Sequence, residues 1–316
     1  MTEPPHPHAM ATGALTAVAR TAVERLVALD AAHGATAALG AVRELTANVP
    51  GLTAAPDAPH GRDADTLAAL AELCEVIGWI LFDAGLDGRA HRMNTRALAL
   101  AERCGDRATA RLVLLNESML HTRAGRPRAA LDAAARVSGP RPLPTLVATL
   151  VLVRRAHAVA LLGGRREADR LVARARSRFL DGASRQDPPW AWWIDRAELA
   201  GHHGWVLARL GDWNRAIPLL HEAATAPGPS YRHLFTAELL AALTGAHAWR
   251  EAEELIAELA PHAGDIGSAR TTETLARTAA RLRGCAQAPV NLRAAAAFLL
   301  ESVPPPPGGC QDGPSR

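Results

Sequence analysis

With 316 residues, 48% of them hydrophobic and only 4% aromatic, the chain carries enough apolar mass for a sizeable core in one large or two modest domains. Alanine fills 69 positions and lysine none, so all 35 basic residues are arginine, and chemistry that needs a Schiff-base, phosphate-loop or kinase-type lysine is excluded. A formal charge of +3 is too small to announce nucleic-acid binding, although a pI near 9.0 leaves room for a local basic face.

Alanine and arginine are strong helix formers, and apolar residues recur at three- and four-residue spacing along most of the chain. An all-α chain of antiparallel helix hairpins is therefore expected. Residues 1–11, with an acid and three prolines, lack the charged and apolar runs of a signal peptide and are expected to be disordered. Capping helices are predicted over 12–32 and 35–48, broken near Gly34, with a loop (VPGLTAAPDAPHGRD) running on to residue 63. About five hairpins follow over 64–262, with breaks at 138–144 (SGPRPLP), 181–189 (DGASRQDPP) and 227–230 (PGPS). Two further capping helices, 268–283 and 290–301, fall within 263–301, and the Pro- and Gly-rich tail 302–316 is expected to be disordered. No uncharged apolar run reaches about eighteen residues, so no membrane span is expected. Cys74, Cys104, Cys285 and Cys310 stand apart without a CxxC pair, which suits a reduced, cytoplasmic protein.

The hairpins share a register. Gly85, Gly125, Gly163 and Gly211 are each followed five residues later by alanine, at Ala90, Ala130, Ala168 and Ala216. A fifth copy keeps Ala252 but has His247 where glycine is expected. Seven positions before the glycines sit Gly78, Ser118, Ala156 and Gly204, with Leu240 as the exception in the fifth copy. Seven after the alanines sit Ala97, Val137, Ala175 and Ala223. Small residues at these offsets let the two helices of a hairpin approach closely. Spacings of 40, 38 and 48 residues between the glycines, and 36 on to His247, suit a helical-repeat protein with enlarged loops.

This pattern resembles the tetratricopeptide repeat, which has small residues at its eighth, twentieth and twenty-seventh positions, over roughly residues 65–262. The usual fourth-position Trp and eleventh-position Tyr are missing; Leu81, His121, Val159 and Leu207 occupy the latter. The resemblance implies a right-handed superhelical stack of hairpins, a tetratricopeptide-like α-solenoid whose exposed ends are covered by the flanking helices. Three segments, VERLVALDAAHG (23–34), DPPWAWWIDRAELAGH (187–202) and LAPHAGDIGSARTTETLARTAARL (259–282), carry a narrower likeness, together with LNESMLHTRAGRPRAAL (115–131). They are similar to the C-terminal helical-repeat region of actinobacterial XRE-type helix-turn-helix transcriptional regulators. In that family a DNA-binding domain precedes the repeats, which sense a ligand or partner. Only about 20 residues precede VERLVALD here, too few for a recognition helix and its supports. The expectation is a sensory or scaffolding module without direct sequence-specific nucleic-acid binding.

In the register of the tetratricopeptide repeat, the first helix of each hairpin lines a concave groove. Trp79, Met119, His157 and Trp205, each following a small residue, then point into it, with Ala241 ending the series. Phe82 lies one turn on and Glu75 one turn earlier, while Glu72, Asp83, Arg123 and Glu198 border the surface. This apolar and aromatic strip with a carboxylate rim suits a peptide, a protein segment or an apolar small molecule. The alternative is that Trp79 and Trp205 fill gaps between hairpins. Asn116 stands where peptide-binding repeats use an amide to pair with the ligand backbone, against a local hydrogen bond as the alternative. Arg154 takes the same position in the next hairpin, but Glu72, Val76 and Leu150 do not match a carboxylate clamp.

Trp190, Trp192 and Trp193 follow Asp187 and two prolines, a good helix start because aspartate caps free N–H groups and proline tolerates the first turn. They are expected to pack a long helix onto its neighbour or to wall the ligand pocket. Arg166, Arg170 and Arg174 make a stripe on the convex face, either solvated or facing an acidic partner. Glu251, Glu253, Glu254 and Glu258 give the far end of the stack the opposite sign, which would allow head-to-tail pairing in a homo-oligomer. Glu198, His202 and His203 make no HExxH pair, and no nucleophile elbow is present, so no metal, cofactor or catalytic residue is expected. The sequence thus reads as a non-catalytic binding module with a regulatory or scaffold role. The alternatives are an accessory transcription regulator acting through a partner's DNA-binding domain, and a natural-product enzyme built in an aromatic and carboxylate groove.

Overall fold

A computed structural model describes residues 12–49, 52 and 63–304. Among them are fourteen α-helices, three short 3-10 turns and no strand. The helices pair in chain order: α1 (Thr12–His33) with α2 (Ala35–Asn48), α3 (Ala64–Asp83) with α4 (Asp87–Cys104), α5 (Arg107–Arg123) with α6 (Pro127–Arg136), and α7 (Thr145–Leu161) with α8 (Arg165–Leu180). Then α9 (Arg196–Arg209) pairs with α10 (Trp213–Thr225), α11 (His233–Gly245) with α12 (Trp249–Leu259), and α13 (Ala269–Gly284) with α14 (Val290–Ser302). The first helix of each pair also packs on the first helix of the next, from α1 through to α13, so these seven form one continuous inner layer. None of the described helices is long and apolar enough to cross a membrane. The disorder expected of 1–11, and of the tail beyond residue 304, lies outside the described residues; Ser302 itself ends α14.

One turn closes five of the hairpins, and a further copy at Gly105 (φ 74°), where the Asp106 N–H donates to the Ala101 carbonyl at 2.9 Å, joins α4 to α5. Gly85, Gly125, Gly163 and Gly211 have φ of 76, 67, 75 and 73°, and His247 takes the same left-handed conformation at 58° despite its side chain. In each turn the N–H one residue past this position donates to a carbonyl five residues back, the Schellman closure. The acceptors are Leu81 (2.8 Å), His121 (2.8 Å), Val159 (3.0 Å), Leu207 (3.0 Å) and Leu243 (3.0 Å). Within the hairpins the small residues mark where two backbones meet. A Cβ on Gly204 would lie 3.0 Å from the Ala216 carbonyl and 2.7 Å from Leu220. Ser118 uses the equivalent position to donate its hydroxyl to the Ala130 carbonyl at 2.8 Å.

The helix start expected at Asp187 is displaced. Residues Pro189–Trp193 form a 3-10 turn, and α9 begins at Arg196, capped by Asp195, whose carboxylate accepts from the Glu198 N–H at 2.9 Å. Asp187 instead caps another helix: its Oδ1 accepts from the Leu146 N–H (2.8 Å), near the start of α7, and its Oδ2 from the Ser184 N–H (2.6 Å). Pro188 is extended (φ −70°, ψ 153°) and separates the Asp187 carboxylate from the turn that Pro189 opens. The tryptophans accordingly sit on a short turn, with the Trp190 indole donating to the Ala108 carbonyl on α5 at 3.1 Å.

The outermost pairs α1–α2 and α13–α14 meet each other instead of covering two separate ends. Thr36 N–H donates to the Gly267 carbonyl at 2.9 Å, and the Ser230 hydroxyl to the Asp30 carbonyl at 2.7 Å. Gly34 and Gly267 touch so closely that a Cβ on either would overlap the other's backbone. At the end of α3, Asp83 accepts from Arg270 Nε (3.1 Å) and from the Ser268 hydroxyl (3.0 Å), both at the start of the α13 hairpin. At the end of α5, Arg123 pairs with Glu273 at 2.6 Å. The stack is closed on itself, and its inner layer surrounds a central space.

Candidate functional site

That space is a cavity of about 790 Å³, lined by residues from all seven inner helices and from the 189–193 turn. Trp79 on α3, Phe235 on α11, Tyr231 just before it, and Trp190, Trp192 and Trp193 supply its aromatic surface. Trp192 is 65% exposed, and Glu24 and Val27 of α1 and Glu72 of α3 are exposed lining residues as well. The volume lies in the range of pockets that hold drug-sized molecules.

Set among these rings are carboxyl groups. Glu75 is 6% exposed and accepts from the Asn116 side-chain amide at 2.6 Å. Burial pushes its carboxyl up to about 8, with the Asn116 hydrogen bond pulling it down and the charge of Glu72 raising it further. Asp30, 8% exposed, is pushed up to about 7 by burial and by Asp83, against the pull of Trp79 and Arg270, and its Oδ1 has no hydrogen-bond partner. Glu72 is likewise raised by burial and by Asp106, with Arg20 opposing.

Two buried guanidiniums reach the same cavity. Arg270 lies over Phe82, 4.5 Å from the ring centroid, and 5.4 Å from that of Trp79, with its Nη1 3.6 Å from the Met119 sulfur. Burial lowers its pKa and raises that of Asp83, each partner's charge opposing the other's shift. Arg154 is pushed down to about 10 by burial, with Glu198 opposing, and its Nη1 lies 3.4 Å from His202 Nε2. His202 Nε2 is also 3.3 Å from Glu198 Oε1, while its Nδ1 is 3.0 Å from His157 Nε2. Burial holds both imidazoles below the usual histidine range. A smaller cavity of about 290 Å³ adjoins the first and shares Met119, Leu234 and Arg270 with it.

Of the sequence-predicted groove residues, Glu72, Glu75, Trp79, Asn116, Met119 and Glu198 come together on the large cavity. Phe82, Arg123 and Trp205 line the small one instead. His157 lines neither; it is buried, with its ring edge-on to Trp205 at 4.7 Å. Asp83, expected on the rim, is buried in the ion pair with Arg270. The Asn116 amide, expected to face a ligand backbone, is committed to Glu75. Asp30 and Arg270 were outside the predicted set because α1 and α13 lie outside the repeat register; Tyr231 and Phe235 lie within it, just before and on α11, but away from the position that Ala241 takes in the groove series. Asp30 did leave a trace: it continues the apolar stripe Val23, Leu26, Val27 at helical spacing, where an acid is out of place. The arginine stripe is exposed on α8, an outer helix, with Arg170 paired to Glu167 at 2.7 Å. Among the described residues no group of three or more His, Cys, Asp or Glu is placed to hold a metal ion. Compared with protein-family models and with curated proteins, the chain matches none significantly.

Proposed function

We propose that this chain is a ligand-binding helical-repeat module, a right-handed tetratricopeptide-like stack that takes an apolar or aromatic small molecule, or a short peptide segment, into its central cavity. The observation that carries this reading is that all seven inner helices contribute to one cavity rich in tryptophan. Closure of the first hairpin on the last favours a compact ligand over a long peptide threaded through an open groove. The resemblance to the repeat regions of XRE-type regulators supports a sensory or scaffold role.

The test uses the neutral dye Nile red, whose emission rises in apolar surroundings. The dye is expected to bind one per chain. Trp79→Ala should weaken it by about 2 kcal/mol, the scale of an aromatic hot spot. Trp205→Ala, which alters the smaller cavity, should weaken it less. Arg170→Ala on the outer face should leave it unchanged. A dye that responds to Arg170→Ala and ignores Trp79→Ala would move the working surface to the outside of the stack.

A further inference from the structure

The charges on the large cavity do not cancel. Arg270 is held by Asp83, which is not on the cavity wall, while Arg154 feels the charge of Glu198, a carboxylate it shares with Arg232 at 3.7 Å and His202 at 3.3 Å. Asp106, at the rim, is used to cap α5 through the Ala108 and Thr109 N–H groups. Glu24 and Glu72 also line the cavity but are exposed. Asp30 and Glu75 are the carboxyls left inside: both are more than nine-tenths buried, and neither forms an ion pair among the described residues. One oxygen of Asp30 has no hydrogen-bond partner among those residues. A buried acceptor left open in this way costs stability unless something donates to it. Between them stands Trp79, one helical turn from Glu75 and in contact with Asp30, and its ring already attracts one cation, the guanidinium of Arg270.

We infer that the ligand of this cavity is a protonated primary or secondary amine on an apolar body, with its ammonium against Trp79 and the Asp30 and Glu75 carboxylates as counter-ions. The inference rests on the cavity being the binding site. Aromatic faces attract cations, and carboxylates accept the N–H donors that a quaternary ammonium lacks. An acid head group would meet Asp30, Glu72, Glu75 and Glu198 on a wall where carboxyl groups outnumber the two guanidiniums, Arg154 and Arg270. In the empty site the two carboxyls hold protons near neutral pH, since their pKa values are raised to about 7 and about 8. The groups facing Asp30 are Asp83 from α3, Arg270 from α13 and Tyr231 from the turn before α11; those facing Glu75 are Glu72 on its own helix and Asn116 from α5. A bound ammonium favours the ionised carboxylates, so binding releases protons and tightens as pH rises from 6 to 8, while the amine itself stays charged to about pH 10.

The experiment compares three probes with one body, 4-phenylbutylamine, 4-phenylbutanol and 4-phenylbutyrate, by calorimetry and tryptophan fluorescence. The amine is expected to bind at least tenfold tighter than the alcohol at pH 8, and the acid more weakly than either. Titrations in phosphate and in Tris should differ in heat by the ionisation enthalpy of the protons released. Asp30→Asn and Glu75→Gln, each checked for folding by thermal melt, should reduce the amine-to-alcohol preference at least fivefold. Alcohol or acid binding as tight as the amine, or no proton release on amine binding, would overturn the cationic ligand while leaving the cavity reading intact. If none of the three binds, both fall together.

Discussion

Asp83→Asn tests whether the ends of the stack are held together at α3 and α13. Asp83 is 1% exposed and Arg270 5%, and the 3.1 Å contact between them is the buried ion pair at the junction. Removing one partner of such a pair leaves the other charge uncompensated, at a cost of about 3–5 kcal/mol. An unfolding entropy of about 2.1 cal/mol/K per residue gives about 0.66 kcal/mol/K for 316 residues, so the melting temperature should fall by about 5–8 °C. Far-UV circular dichroism melts read this directly. The combination Asp83→Leu with Arg270→Met should recover most of the loss, because an apolar pair of similar volume replaces a buried ion pair at little cost. Arg270→Met alone should show a pH signature. With its counter-charge gone, the already raised Asp83 carboxyl rises further, and the native state holds a proton that the unfolded chain releases above about 3.8. That variant should therefore lose more stability between pH 5 and pH 8 than the wild type does. An Asp83→Asn melt within 2 °C of wild type, or a double variant no better than the single one, would refute the reasoning.

Glu75→Gln keeps the oxygen that accepts from Asn116 and removes the ionisable group. Because the folded pKa is raised from 4.5 to about 8, the wild type loses stability as pH climbs through that window, and the variant should gain on it by several kcal/mol in urea unfolding between pH 5 and pH 9. Gly204→Val forces a side chain into the Ala216 carbonyl and Leu220, and should destabilise by about 1–3 kcal/mol in the same assay; an unchanged midpoint would mean that α9 and α10 have room to part.

The repeated turn was legible in the sequence because its chemistry is local. A left-handed residue followed by a buried alanine recurs from Gly85 to Gly211, and even His247, the one departure, adopts the same backbone. The register carried from these turns puts Trp79, Glu75 and Met119 on one cavity, since positions on successive inner helices face the same way. It fails for Trp205, which lines the smaller cavity beyond Met119, Leu234 and Arg270, and for His157, which is buried against Trp205 and lines neither. The closure was illegible. Asp30, Asp83, Gly267 and Arg270 are single residues separated by up to 240 positions, and no periodicity links them. Asp187 was misread because its carboxylate caps a helix 41 residues away, in α7, and no local pattern distinguishes that from capping its own.

Closure also bears on how such a chain can change over evolutionary time. An open solenoid gains or loses whole repeats freely, because each unit touches only its neighbours and the ends are free to shift. Here the hairpin count sets whether Asp83 finds Arg270 and whether Gly34 meets Gly267. Duplicating or deleting one hairpin would miss the junction and open the chamber to water. Copy number is therefore constrained by the junction, and the lining of the central cavity can change by substitution at inner-helix positions such as Asp30, Glu75 and Phe235, or by remodelling the tryptophan-bearing turn beside them.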